Sequence, residues 1–187
     1  MRESDYLHLS PETGARLLKI PTLRHFGASF NKILTVSKIR TYEAGEEIIR
    51  EGGTDKWVYC LMAGRARVVK AGEPIASLGP GAICGEMSII DGSARSATVE
   101  ACATTICLAS DLSLIDRTGG NNELFLFILY RMFAQILTER LRQTSQQLIA
   151  ARRELAQLRG GAEELVIDDH LALDIEELFP DLDATLS

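Results

Sequence analysis

Between about Lys38 and Ala109 the chain is cut into short runs rich in β-branched and aromatic residues, most of them ended by glycine. Glu47–Arg50 stops at Gly52-Gly53, Trp57–Met62 at Gly64, Arg65–Lys70 at Gly72, and Ile75–Leu78 at Gly79-Pro80-Gly81. Ser96–Ala101 and Thr104–Ala109 complete the series. Spacers this short leave no room for the crossover helix that parallel strand pairs need. The stretch is therefore restricted to antiparallel pairing, and short strands at such regular intervals predict a sandwich or barrel.

The flanks have a different period. Over residues 10–35, Leu17, Leu18, Ile20, Leu23, Phe26, Phe30, Ile33 and Leu34 recur at helical spacing, broken by Pro11 and Pro21. They predict short helices or turns. Beyond Gly119-Gly120, Asn121 or Asn122 can cap a helix with Glu123 in its first turn. No Gly or Pro then intervenes up to Leu158. Steps of three and four residues select Phe127, Tyr130, Ala134, Leu137, Leu141, Thr144, Leu148, Ala151, Leu155 and Leu158, a coiled-coil seam. Leu124, Ile128, Leu129, Met132 and Phe133 lie off that seam. The first half of the helix should thus touch the β-domain and a partner at once, and a homodimer through residues 122–159 is expected. A helix that only packs on its own domain is the plainer alternative.

Net charge is −6 but unevenly spread: residues 160–187 hold nine acids and no Lys or Arg, leaving 17 acids against 20 bases over residues 1–159. The tail alternates these acids with Leu165, Val166, Ile167, Leu171, Leu173, Ile175, Leu178, Phe179 and Leu182. That composition fits a segment that is flexible alone and orders against a protein partner, or one that is merely solvated. The expected organisation is a β-domain with N-terminal helices over 1–121, a dimerisation helix over 122–159 and the tail over 160–187.

Several function classes lose support. An apolar fraction of 46% and a charged fraction of 25% are those of a soluble globular chain. No apolar run approaches the roughly 18–20 residues that span a bilayer, and no secretory signal follows Met1, so a cytoplasmic location is expected. Cys60, Cys84, Cys102 and Cys107 form no Cys-x-x-Cys pair and stand in apolar or strand-like stretches, which predicts buried, reduced thiols and no metal site. His8, His25 and His170 are scattered. No nucleophile has a plausible base beside it, so no enzymatic activity is expected.

The chemistry concentrates in Gly85-Glu86-Met87-Ser88-Ile89-Ile90-Asp91-Gly92-Ser93-Ala94-Arg95-Ser96-Ala97. Gly85-Glu86 leads into one helical turn, Gly92 ends it, and Arg95 precedes a strand. Backbone N–H groups at a helix start favour an anion such as phosphate. Arg95 would add a charge-assisted, bidentate contact to it. A carboxylate at Glu86 only accepts hydrogen bonds, which suits a sugar hydroxyl. The alternative is a Glu86–Arg95 ion pair stapling an ordinary turn.

This run resembles the phosphate-binding cassette of the cyclic nucleotide-binding domain family, which includes bacterial catabolite activators, protein kinase A and G regulatory domains and cyclic nucleotide-gated channels. The Glu86-to-Arg95 spacing matches the kinase-regulatory type. Tyr42-Glu43-Ala44-Gly45-Glu46, Ile48-Ile49-Arg50-Glu51-Gly52 and Tyr59–Gly64 resemble the family's earlier strands. Cys84 departs from it, standing where a bulkier apolar residue is common. The resemblance implies an α+β, mainly β, antiparallel β-roll or jelly roll with N-terminal helices, a short cassette helix and a long C-terminal helix.

It also implies a cAMP or cGMP ligand held by Gly85, Glu86, Met87, Ser88, Arg95, Ser96 and Ala97. Glu86 would meet the ribose 2′-hydroxyl, Arg95 the cyclic phosphate, and the backbone at Gly85, Ser96 and Ala97 would complete the cradle. Ser96 is compatible with either base. Arg131 and Thr138 are the polar candidates for contact with the base.

Two outputs follow from the family. A catabolite-activator-like regulator reads DNA through a helix-turn-helix placed after the long helix. Here 28 residues follow Arg159, none of them Lys or Arg, and an acidic segment is repelled by phosphate. The helix carries Arg131, Arg140, Arg142, Arg152, Arg153 and Arg159 against Glu139 and Glu154, expected as a solvated coiled-coil flank. A sensor that signals to a protein partner, through the helix and the 162–187 tail, is the favoured expectation.

Overall fold

The computed structural model describes residues 1–5, 17, 23, 30–118 and 122–158. Of the helices expected over residues 10–35, it describes Leu17 and Leu23, both helical and buried, and α1 (Phe30–Thr35). His8, His25, His170, the Gly119-Gly120 break, Asn121 and the acidic tail lie outside the described residues.

The chain divides into two compact units, Met1–Arg140 and the part from Leu141 onward. In the first, the short runs form β1 (Arg2–Asp5), β2 (Ser37–Tyr42), β3 (Glu47–Ile49), β4 (Trp57–Ala63), β5 (Ala66–Lys70), β6 (Glu73–Leu78), β7 (Ile83–Cys84), β8 (Thr98–Ala101) and β9 (Thr105–Asp111). They make one sheet in the order β1-β2-β9-β4-β7 and another in the order β3-β8-β5-β6. Neighbours in both are antiparallel. The mainly β roll with a long C-terminal helix is thus the architecture observed.

Successive side chains of a strand face opposite ways, and β4 uses both faces. Tyr59 and Leu61 enter a core between the sheets, with Tyr42, Ile48, Ile49, Ala66, Val99, Cys107 and Ala109. Val58 and Cys60 enter a second core against the helices, with Phe30, Ile33, Ile39, Leu108 and Ile115. That is why Val58-Tyr59-Cys60-Leu61 is apolar throughout instead of alternating: both of its faces are buried.

β1 departs from expectation. Its sequence, Arg2-Glu3-Ser4-Asp5, has no apolar residue to announce a strand. Charge draws it to β2: Glu3 accepts from Arg40 at 2.8 Å and from Lys38 at 2.5 Å, while Arg2 meets Glu43 at 3.0 Å. A 3₁₀ segment (Leu112–Thr118) follows β9.

The long helix is α3 (Glu123–Leu158). Asn122 precedes it, with its side chain accepting from Lys32 at 2.8 Å and donating to the Ile115 carbonyl at 3.3 Å. Phe125, Leu129, Met132 and Phe133 bury one face of α3 in the helix-side core, with Leu126, Ile128 and Ile136 partly covered. The seam residues Phe127, Tyr130, Leu141, Leu148, Leu155 and Leu158 are exposed, as is every residue from Leu141 to Leu158. None of the described helices is long and apolar enough to cross a membrane.

The cysteine expectation needs one correction. Cys60, Cys84 and Cys107 are buried free thiols, but Cys102 is exposed. It lies in the turn between β8 and β9, where its N–H is held by the Arg65 carbonyl at 2.8 Å and its side chain reaches no core. Burial raises the other three thiols, Cys60 and Cys107 to about 12.

Candidate functional site

Glu86 and Arg95 flank a helical turn, α2 (Met87–Ile90). The turn is set by Gly85, which lies at φ +89°, a region that L side chains adopt only with strain. A Cβ there would stand 2.7 Å from Arg95 Nη1 and 2.7 Å from the Trp57 carbonyl oxygen. The backbone of Gly85 is therefore pressed against the arginine with no space for a side chain.

Arg95 is 3% exposed, and all five of its side-chain N–H donors have acceptors. Nη1 donates to the Gly85 carbonyl at 2.7 Å and to Ser88 Oγ at 2.8 Å. Nη2 donates to Asp55 Oδ1 and to the Trp57 carbonyl, and Nε reaches Asp55 Oδ2 at 3.4 Å. Its backbone is tied to the turn before β4: Arg95 N–H donates to Gly53 O, and Gly52 N–H to Arg95 O, both at 2.8 Å. Asp55 also accepts from the Trp57 N–H at 3.2 Å. Burial acts to raise the Asp55 carboxyl, but donation from Arg95 and the Trp57 backbone outweighs it and leaves the group below its ordinary range.

Glu86 is fully buried and has a different partner. Its Oε1 accepts from Arg140 of α3, whose second terminal nitrogen donates to the Ile83 carbonyl. Its Oε2 is buried with no hydrogen-bond partner among the described residues. A carboxylate oxygen in that condition is costly, and it is chemically suited to a donor brought by a ligand. The Glu86–Arg95 ion pair considered from the sequence does not form, because each residue takes a partner from elsewhere in the fold.

The other expected site residues divide. Ser88 is buried against Arg95. Met87 is 45% exposed, and the Ser96 hydroxyl donates to its sulfur at 3.7 Å. Ser96 is exposed and Ala97 half-buried. Arg131 and Thr138 are exposed, and the Thr138 hydroxyl bonds back to the Ala134 carbonyl at 2.8 Å. Among the described residues no group of three or more His, Cys, Asp or Glu is placed to hold a metal.

Sequence reasoning missed Asp55 and misplaced Arg140. An acid just after Gly52-Gly53-Thr54 reads as turn chemistry, which Asp55 also performs. Arg140 was expected on a solvated flank, yet its position continues the inward stripe Phe125, Leu129, Met132 and Ile136. A cation standing where an apolar stripe should continue was the available signal.

Comparison with known proteins places this architecture. Residues 39–117 match the cyclic nucleotide-binding domain family. A cGMP-dependent protein kinase of Toxoplasma gondii is 30% identical over 117 residues, which is 63% of this chain and 11% of the kinase. The crystal structure of a cyclic nucleotide-binding domain from Methylobacillus flagellatus aligns with a TM-score of 0.63 at 22% identity, over 75% of this chain and 84% of that one. The regulatory domain of Toxoplasma gondii PKA, solved with cAMP, gives 0.53 at 20% identity, over 59% and 46%. These structural likenesses carry the fold. The chain spans only 11% to 13% of the length of the curated kinases it matches.

Proposed function

We propose that this chain binds a cyclic mononucleotide, cAMP or cGMP, as a regulatory ligand and catalyses no reaction itself. The observation that carries the reading is the buried, unpartnered Oε2 of Glu86 on the same cassette as the buried guanidinium of Arg95. A sugar hydroxyl donating to Oε2 satisfies the orphaned acceptor. The cyclic phosphate goes to Arg95 and to backbone N–H groups around Gly85, Ser96 and Ala97. All five Arg95 donors are already engaged, so the phosphate enters by exchange. It displaces the neutral acceptors Ser88 Oγ and Gly85 O, while Asp55 keeps the guanidinium oriented. An anionic acceptor in place of a neutral one makes that exchange favourable. Met87 and Ser88 line the same turn.

The output belongs to the proposal as well. The exposed seam of α3 supports a homodimer through the 122–159 helix, and the 162–187 tail docks a protein partner. Ligand shifts the balance between two positions of the helix only as far as it binds one of them better. A cytoplasmic location and a metal-free site complete the reading. Calorimetry with cAMP and with cGMP, on wild type and Arg95→Ala, tests it. The variant should lose at least about 1.5–3 kcal/mol of binding. Equal binding by wild type and variant removes the site.

A further inference from the structure

Arg40 of β2 is a largely enclosed cation, with 12% of its side chain exposed. Three groups fix it. Nε donates to Glu3 of β1 at 2.8 Å, Nη1 donates to the Tyr59 hydroxyl at 3.0 Å, and the guanidinium carbon lies 3.8 Å from the centre of the Trp57 ring. A guanidinium that close to an indole face is attracted by the ring quadrupole, more strongly where water is excluded.

The backbone of Trp57 also frames the buried Arg95. Its carbonyl accepts from Arg95 Nη2, and its N–H donates at 3.2 Å to Asp55 Oδ1, the same oxygen that Nη2 reaches. Nη2 and Nε thus face a wall built from Asp55 and the Trp57 peptide, while Nη1 faces Ser88 and Gly85 on the cassette. The indole anchors that peptide, and Arg40 anchors the indole.

We propose that Arg40 is a positioning residue for the phosphate end of the pocket: by stacking on Trp57 it holds the peptide that orients Arg95. The inference rests on the cyclic-nucleotide reading and adds to it a residue of β2, far from the cassette in sequence. The physical reason is preorganisation. A guanidinium already aimed has less side-chain freedom to lose when the phosphate arrives. With the indole released, the Trp57 peptide can turn, its carbonyl drifts from Nη2, and part of the ordering of Arg95 falls to the ligand. Through Glu3, β1 takes part in the same support.

The test is calorimetry with cAMP and with cGMP, beside nanosecond fluorescence anisotropy of Trp57, the chain's single tryptophan. Arg40→Met keeps the apolar stem and removes the cation. It should raise the dissociation constant about three- to tenfold, the range that a part-buried cation–π contact is worth. It should also increase the fast depolarisation of Trp57. Arg40→Lys restores a cation over the ring without the planar fork, and should recover part of both losses. Glu3→Gln removes the anion on the edge strand and leaves the core untouched; the dissociation constant should rise about two- to threefold. A double-mutant cycle isolates the route: once Trp57→Leu has removed the ring, Arg40→Met should change affinity by less than about twofold.

Wild-type affinity in both Arg40→Met and Glu3→Gln overturns the inference. So do equal losses from Arg40→Met with and without the Trp57 ring, which would make its effect one of general stability. Lost affinity with Trp57 as rigid as in wild type overturns it too. If Arg40→Met fails to fold, Glu3→Gln decides. Wild type that binds neither nucleotide overturns the reading of the pocket itself, and this inference with it. Wild type that binds, matched by the variants, overturns the inference alone.

Discussion

Arg95 and Asp55, 40 residues apart in the chain, face each other through two hydrogen bonds, from Nη2 to Oδ1 and from Nε to Oδ2. The arginine's side chain is 2% exposed and the aspartate's 44%. An almost completely buried cation is thus compensated by an anion at the protein's edge. Loss of the partner would leave the buried charge without compensation, the costly half of a buried pair.

Asp55→Asn should therefore destabilise the domain at neutral pH. The Asp55 carboxyl titrates below its ordinary value in the folded protein, so its stabilisation is present at neutral pH. It is lost as pH falls below about 4 and through the folded value. Thermal melts of wild type and variant should differ at pH 7 and converge in acid. A gap that stays constant from pH 7 down to pH 3 refutes the pairing as its source.

Gly85→Ala should be among the most damaging single-methyl additions in the cassette. The strained φ alone is worth about 1–3 kcal/mol, and the added carbon meets both Arg95 Nη1 and the Trp57 carbonyl at 2.7 Å. Chemical denaturation should register at least that loss, with nucleotide binding weakened alongside. Full stability in the variant would mean that the cassette backbone relaxes freely.

Leu141 and Leu148 are 68% and 52% exposed in the single chain. If α3 pairs with a second copy along its seam, charge at both positions prevents it. Leu141→Asp with Leu148→Asp should turn a dimer into a monomer in analytical ultracentrifugation and leave the fold of the β-domain intact. A wild type that sediments as a monomer at every concentration ends the dimer proposal.

Thiol labelling should separate the four cysteines. Cys102 is exposed, while burial raises Cys60 and Cys107 to about 12. Near pH 8 an aromatic disulfide reagent should react quickly with one thiol per chain, and with the other three only after denaturation. Two or more fast thiols in folded protein would contradict the buried assignments.

How much the sequence disclosed depended on whether the determining contact was local. The strand runs from Glu47 to Ala109 were legible because glycine punctuation and β-branched composition act over a few residues. The helix α3 was legible from the spacing of its apolar residues, which needs only the chain's own period. β1 was not, because four polar residues become a strand only when Lys38, Arg40 and Glu43 are in place to receive them.

In the cassette, the sequence by itself determined the residue types: a glycine for the positive φ, a carboxylate and a guanidinium nine positions apart (86 and 95), and a turn between them. Only the tertiary structure decided how those charges pair. Glu86 and Arg95 are near in sequence and complementary in sign, yet Arg95 turns to Asp55 and Glu86 to Arg140, 54 residues away. The reason is geometric: a buried charge needs several aligned acceptors or donors at once. For Arg95 these are converging carbonyls and a carboxylate from separate segments; for Glu86, a side chain reaching in from a helix. Residue spacing cannot encode that convergence, because it exists only once the sheets and α3 have packed.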